Sequence, residues 1–218
     1  MVITARANGA SASVNPARPR WVDMAANYKP DGVSRQELYP LISQALADEV
    51  NNPAYANTCA LRMSYALNHS GVLLGKAPSR GGTVVGDDKN NYWIRVKDLK
   101  QELQKRFRNG DFNYTHPPFP SNWSPDSQWA LLQERVKKVQ VEFLDKIKNR
   151  NGIVVFEVEG WQDASGHFTL WDSSSKNLMY VGASQAEKDA SSPRYYFWMV
   201  PYAGAAGLTR SISFWELK

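Results

Sequence analysis

The sequence predicts an α+β domain in which helices come first along the chain and strands follow. Up to about residue 147, apolar residues tend to recur every three or four positions, whereas β-branched and aromatic runs dominate from residue 153 onward. Apolar residues make up 43% of the 218 residues, which is enough for one substantial core. No apolar run approaches the roughly 20 residues that a membrane-spanning helix needs.

The first twenty residues are predicted to form a flexible arm, and residues 21–218 a single domain. The arm combines an Asn-Gly pair, Ser11, Ser13, two prolines and three arginines. It also lacks the charged stretch and hydrophobic segment of a secretory leader. We therefore expect synthesis in a cytoplasm, with delivery elsewhere by other machinery.

Two segments carry helix-start signals. Ser34 and Glu37 form a capping-box pattern that opens a helix, although Pro40 interrupts its regular part. Ser124 as the cap and Pro125 at the first position open the longest predicted helix. Its core-facing stripe comprises Trp129, Leu132, Val136, Val139, Phe143 and Ile147.

The remaining elements follow from composition. Residues 92–107 form a basic, helical pattern, and residues 111–123 an aromatic and proline-rich loop. Runs rich in β-branched and aromatic residues predict five strands. These are Ile153–Glu159, His167–Trp171, Leu178–Val181, Tyr195–Val200 and Ser211–Trp215.

Cys59 is the only cysteine, and it lies in the first turn of a predicted amphipathic helix, directly after Thr58 as a possible N-cap. A helix N-terminus favours a thiolate over a thiol. A lone thiol forms no intramolecular disulfide and is a poor metal site by itself. Cys59 is therefore either a buried small apolar residue or a nucleophile. Arg62, one turn later, is interpreted as a structural ion-pair partner inside the fold, with a substrate ligand as the alternative.

A nucleophilic cysteine needs a base, and the chain has three histidines. His69 ends the cysteine helix, about 15 Å from Cys59, too far for proton transfer. His116 lies in the proline-rich loop and is expected to have no role there, with a substrate contact as the alternative if the loop covers a cleft. His167 follows a glycine at the start of a strand, where one face is expected to be open, and is the best partner for Cys59. Trp161 and Trp171 flank this strand; core packing is the default for both, and Trp161 is also a candidate to line a cleft.

The net charge of +5 admits two other interpretations. The first is nucleic-acid binding by a basic helix, but its cations are spread around the helix and fit a solvated face better. These cations are Arg95, Lys97, Lys100, Lys105, Arg106 and Arg108. The second is attraction to an anionic envelope polymer. A non-enzymatic binding module for an anionic polymer or glycan is therefore the alternative to an enzyme.

Three segments resemble the fourth family of type VI secretion amidase effectors. Asn57–Asn68 (NTCALRMSYALN) resembles its nucleophile segment, Gly160–Asp172 (GWQDASGHFTLWD) its histidine segment, and Phe214–Leu217 (FWEL) its final strand. The resemblance extends over roughly residues 35–218. It implies a papain-like, NlpC/P60-type fold in which a helical N-terminal part packs on an antiparallel β-sheet.

The resemblance also implies a function. The chain would be a cysteine amidase, with Cys59 and His167 catalytic, that cuts the γ-D-glutamyl–meso-diaminopimelate bond of peptidoglycan stem peptides without a metal or organic cofactor. Its partners would be a type VI secretion apparatus and a cognate immunity protein, and its place of action the periplasm of target bacteria. Nucleic acid and a membrane span are not expected.

The family usually has an acidic residue that orients the histidine, and here that residue is not obvious. Asp172 is the nearest carboxylate, but it lies five positions after His167 and points to the opposite face of the strand. If residues 172–177 form a hairpin turn, the positions opposite His167 fall near residues 182–184. Asp172 and Asn177 are the two candidates for the third member of the site, and Ser184 and Gln185 are further options if the hairpin pairs tightly.

Overall fold

The computed structural model describes the backbone of residues 3–7, 10–14, 18–120, 125–182 and 184–218, and the side chains of these residues from 18 onward except 125–128. A five-stranded antiparallel sheet forms its centre, with spatial order β5-β9-β6-β7-β8. Its strands are β5 (Phe112–Thr115), β6 (Asn151–Glu159), β7 (Gly166–Asp172), β8 (Asn177–Leu178) and β9 (Leu208–Leu217).

The helices lie mainly in the first two thirds of the described chain. They are α1 (Trp21–Asn27), α2 (Arg35–Leu38), α3 (Gln44–Asp48), α4 (Cys59–His69), α5 (Val96–Phe107), α6 (Pro125–Val139) and α7 (Asp145–Ile147). A π-helical turn, Gln140–Leu144, joins α6 to α7. Two short hairpins complete the fold: β1 (Ile3–Ala7) with β2 (Ala10–Val14), and β3 (Thr83–Val85) with β4 (Asn91–Trp93).

Strand β6 separates two hydrophobic layers, because its alternate side chains point to opposite faces of the sheet. Ile153 and Val155 pack with residues of α1, α4 and α5. Val154 and Phe156 pack with residues of α6, the π-helical turn and the buried segment 195–200. The strand reads as a nearly continuous apolar run because both of its faces are covered.

Most predicted elements are present. The capping box of Ser34 and Glu37 is formed, with the Ser34 N–H donating to Oε2 of Glu37 at 2.7 Å. The helix it opens is, however, split by a 3₁₀ turn at Tyr39–Leu41, where Pro40 cannot donate to the α-helical ladder. Ser124, the predicted cap of α6, lies outside the described residues.

Two predictions need correction, and two hairpins were not predicted. The segment 195–200 is not a strand: it runs through turns, although all six residues are buried. The segment is apolar because it is buried, and sequence periodicity cannot distinguish a buried irregular segment from a buried strand. Strand β5 lies in the segment predicted as a loop, and β3 and β4 were not predicted. The predicted flexible arm contains the β1–β2 hairpin.

Candidate active site

Cys59 is the first residue of α4, as the sequence predicts, with Thr58 at the N-cap position. The Thr58 side chain does not cap the helix. Its Oγ1 instead accepts from Nε of Arg62 at 2.9 Å and lies 2.8 Å from the Tyr180 hydroxyl. Burial raises the pKa of the Cys59 thiol, and hydrogen bonds from the backbone amides of Phe168, Ala60 and Cys59 itself oppose that rise. Phe168 directly follows His167 in β7, so this hydrogen bond joins the thiol to the strand that carries the imidazole.

His167 is the second residue of β7, and its imidazole lies in an aromatic sandwich. The ring stacks on Tyr196, with centroids 4.3 Å apart, and on Tyr180, with centroids 5.6 Å apart. Nε2 lies 2.9 Å from the backbone oxygen of Tyr180. A carbonyl oxygen only accepts hydrogen bonds, so Nε2 carries the proton and Nδ1 is the basic nitrogen of the neutral ring.

The imidazole is only 4% exposed, and burial lowers the pKa of His167 to about 4. The sequence pattern favours a thiolate at Cys59, but in the folded protein burial acts against charge on both groups. Burial therefore favours a neutral thiol at Cys59 and a neutral imidazole at His167.

Cys59 and His167 line the same cavity, which has a volume of about 330 Å³. Trp161 lines it too, in agreement with the cleft role considered for this residue. A second, larger concavity of about 690 Å³ also contains Cys59, together with Asn57 and Asp163. Nδ2 of Asn57 donates to the carboxylate of Asp163 at 2.8 Å, linking the loop before α4 to the loop before β7. Cys59 thus lines both recesses.

Arg62 supports the site from inside the fold. It is 2% exposed and lies over the ring of Tyr180 at 4.1 Å. Its guanidinium donates to three backbone carbonyls, those of Lys29, Pro30 and Val33. Its structural role is as predicted, but its partners are carbonyls rather than a carboxylate.

Asp172 and Asn177 lie at the opposite end of β7 from His167, paired with each other where the hairpin turns. The Asp172 carboxylate accepts from the backbone and hydroxyl of Ser174, at 2.9 and 2.7 Å. The structure does not bring either side chain to the imidazole. The predicted hairpin turn is present, but the backbone group opposite the imidazole comes from Tyr180 rather than from residues 182–184. Ser184 lines the cavity, whereas Gln185 is not among its lining residues.

The other two histidines lie outside this cavity. His69 ends α4, as predicted, with Nε2 at 3.2 Å from the Tyr92 hydroxyl. His116 was expected to have no role, yet it is buried and donates from Nε2 to the backbone oxygen of Phe197 at 2.8 Å. Burial lowers the pKa of His116 to about 3. It is a structural residue that connects the chain after β5 to the segment 195–200.

Sequence reasoning missed several residues around the pair. Tyr180 contributes a backbone carbonyl, and no sequence signal marks which carbonyl will face a histidine. Tyr196 stands in an apolar run that reads as core, and Asp163 in a run that reads as a loop. Glu187 and Arg194 form an ion pair at 2.7 Å in the cavity wall. Their positions in the sequence do not distinguish them from an ordinary ion pair on the surface.

The described residues include no group of three or more His, Cys, Asp or Glu side chains arranged to hold a metal ion. In the same part of the chain, no helix has the length and apolar content to cross a membrane.

A family model described as "Type VI secretion system (T6SS), amidase effector protein 4", or Tae4, matches residues 55–215. The chain belongs to the Tae4 family. It is therefore a peptidoglycan amidase effector of the type VI secretion system, which confirms the family resemblance seen in the sequence. No curated protein matches the chain.

Solved Tae4 structures share the fold. The Tae4–Tai4 effector–immunity complex from Enterobacter cloacae is similar at 24% identity and a TM-score of 0.61, over 93% of this chain and 100% of that chain. Tae4 from Enterobacter cloacae alone has 22% identity and a TM-score of 0.61, over 93% and 98%. Salmonella typhimurium Tae4 in complex with Tai4 from Enterobacter cloacae has 20% identity and a TM-score of 0.60, over 92% and 100%.

Proposed function

We propose that this Tae4 protein is a cysteine amidase in which Cys59 is the nucleophile and His167 its proton carrier. The observation that carries the proposal is that the only thiol, at the start of a helix, and the imidazole of a neighbouring strand line one cavity. A helix-borne cysteine and a strand-borne histidine, in this chain order, are also the arrangement of papain-like enzymes. This supports a distant relationship to the NlpC/P60 group.

The first half of the reaction forms an acyl-enzyme. As the sulfur attacks the scissile carbonyl carbon, Nδ1 of His167 takes the thiol proton and the carbonyl π electrons move to oxygen. The backbone N–H of Cys59, at the positive end of α4, helps to hold this oxyanion. When the tetrahedral intermediate collapses, the carbon–nitrogen bond breaks and the imidazolium gives its proton to the departing amine.

The second half regenerates the thiol. His167 removes a proton from a water molecule as the water oxygen attacks the thioester carbon. The carbon–sulfur bond then breaks, and the sulfur recovers a proton from the imidazolium. No redox partner is involved, because every step moves only protons and electron pairs.

The bond we propose is the one between γ-D-glutamate and meso-diaminopimelate in peptidoglycan stem peptides, a DL-endopeptidase activity. The two recesses that Cys59 lines support an endopeptidase, because both would hold substrate residues. The mild positive charge of the chain favours accumulation near anionic envelope polymers.

We further propose delivery by a type VI secretion apparatus into the periplasm of target bacteria, and inhibition by a cognate immunity protein. Two of the similar structures are complexes of a Tae4 with a Tai4 immunity protein, which supports a partner of this kind. A protein that closes the cavity around Cys59 would block the reaction.

The test is digestion of purified peptidoglycan sacculi, with the released muropeptides identified by mass. Wild-type protein should yield fragments ending in γ-D-glutamate and fragments beginning with diaminopimelate, whereas Cys59→Ala should yield neither. Ser70→Ala is a matched control, since it removes one heteroatom at the other end of α4, outside both recesses that Cys59 lines, and it should retain digestion.

Equal digestion by Cys59→Ala would exclude the proposed nucleophile. Cleavage at another stem-peptide bond would retain the mechanism and overturn the bond assignment. Sacculus binding without digestion by the wild-type protein would favour the non-enzymatic binding module instead.

A further inference from the structure

One peptide group joins His167 to a carboxylate. The carbonyl oxygen of Tyr180 accepts from Nε2 of His167 at 2.9 Å. The N–H of the same peptide group, which belongs to Val181, donates to Oδ1 of Asp31 at 3.1 Å. The chain of contacts is therefore carboxylate, peptide N–H, peptide C=O, imidazole N–H.

The peptide group is fixed from both sides. The Tyr180 N–H donates to Oγ1 of Thr169 at 2.9 Å, and Met179 donates to the backbone oxygen of Leu170 at the same distance. The loop that carries Asp31 is attached to the same segment, since the Asp31 N–H donates to the Met179 oxygen at 2.8 Å. Hydrogen bonds from backbone N–H groups thus hold both the segment 179–181 and the loop that carries Asp31, and none of them involves the Asp31 carboxylate.

We infer that Asp31 is a positioning residue of the active site, acting on His167 through the peptide group between Tyr180 and Val181 in place of a directly bonded carboxylate. The inference rests on the proposed function, because it assigns the third member of that site. A carboxylate that accepts from a peptide N–H draws electron density toward the carbonyl oxygen and strengthens it as an acceptor. The negative charge also stabilises the imidazolium that forms when His167 takes the thiol proton.

Several other ionisable groups surround His167 or line its cavity, and the test is made against that background. They are Cys59 and Arg62 on α4, Tyr28 after α1, Tyr180 after β8, Asp163 before β7, and Glu187, Arg194 and Tyr196 before β9. Arg62 opposes Asp31, because its charge lowers the pKa of His167 whereas that of Asp31 raises it. Asp31 also has a counter-ion of its own in Lys188, at 3.2 Å from Oδ2.

Asp31→Asn and Lys188→Met are the paired variants. The asparagine keeps an oxygen for the Val181 N–H but loses the charge, so kcat/KM for stem-peptide hydrolysis should fall about tenfold. The pKa of His167, followed by ¹⁵N NMR of the imidazole and by the acid limb of kcat/KM, should fall by about half a unit or more. Lys188→Met removes the competing cation and should move the same pKa upward without lowering kcat/KM.

A purely structural role for the Asp31–Lys188 ion pair predicts a different pattern. Both variants would then lower the urea midpoint to a similar extent, and neither would move the His167 pKa. That pattern, or an unchanged kcat/KM in Asp31→Asn, would overturn the inference while leaving the amidase proposal intact. If the wild-type protein hydrolyses nothing, the proposed function fails, and the NMR titration alone still decides whether Asp31 acts on His167.

Discussion

Gly166 precedes His167, and its lack of a side chain allows β7 to lie close to β6. A Cβ placed on Gly166 would lie 2.1 Å from the carbonyl oxygen of Phe156, the β6 residue paired with His167. This oxygen belongs to the backbone of a central strand, so it cannot swing aside like a flexible side chain. Gly166→Ala therefore forces the two strands apart at the point where the imidazole is attached.

The magnitude follows from the size of the clash. An ordinary contact needs more than 3.4 Å, so the methyl group requires a displacement of about 1 Å. Overpacking of this kind costs about 1–3 kcal/mol in unfolding free energy. A displacement of about 1 Å at a reacting group is associated with losses of the order of a hundredfold in turnover.

The assay combines urea unfolding with hydrolysis of stem peptides. Gly75→Ala is the matched control, because a Cβ there meets no atom within 4 Å and the residue does not have a positive φ. It should unfold within about 0.5 kcal/mol of the wild-type protein and keep its activity.

If Gly166→Ala behaves like Gly75→Ala in both measurements, the β6–β7 spacing does not position His167. If it loses stability but retains full turnover, the strands separate without moving the imidazole, and the link between this glycine and catalysis is refuted.

Two further predictions concern residues outside the proposed catalytic pair. Burial lowers the pKa of His116 to about 3, below its unfolded value of about 6.5, so its stabilising contribution is complete above pH 6.5 and is lost as the pH falls toward 3. Between about pH 7.5 and about pH 5, the wild-type protein should therefore lose about 2 kcal/mol more unfolding free energy than His116→Gln, a variant that keeps a donor for the Phe197 oxygen. Urea titrations at the two pH values measure this difference. Equal losses in the two proteins would contradict the neutral buried imidazole. Asp172→Ala and Asn177→Ala should each leave kcat/KM within about twofold, since the structure places both at the far end of β7; a tenfold loss in either variant would place the third member of the site there after all.

The sequence predicts the helix at Cys59, the capping box at Ser34 and the β7–β8 turn, because each depends on local chemistry. Helix starts and turns are determined by the conformational preferences of a few neighbouring residues. The segment 195–200 was predicted wrongly because its residues are apolar for a tertiary reason: they cover β6 rather than pair with a strand. Strand β5 was missed because its pairing partner, β9, lies about a hundred residues away along the chain and is not evident locally.

The proposed pair, Cys59 and His167, follows from residue chemistry together with the family resemblance, whereas the rest of the proposed site could not be predicted. The chain has one cysteine and three histidines, and both residue types are chemically reactive, so each of them is easily noticed in the sequence. The carbonyl of Tyr180 is chemically identical to every other carbonyl, and only the path of the chain after β8 brings it to His167. Asp31 stands between a proline and a glycine, where an aspartate is typical of an ordinary turn.

The positioning role proposed for Asp31 would also account for the lack of an acidic residue opposite His167 on the neighbouring described segment. A carboxylate bonded directly to this buried imidazole would itself be buried, and the desolvation of a charged group costs several kcal/mol. Asp31 is separated from the imidazole by the peptide group between Tyr180 and Val181. Its side chain remains 20% exposed, and Lys188 neutralises part of its charge. The peptide group carries no net charge, and both its N–H and its C=O have hydrogen-bond partners, so burying it against the imidazole has a small desolvation cost. The arrangement keeps the charge near water while leaving it close enough to favour the imidazolium, which is needed only during the reaction.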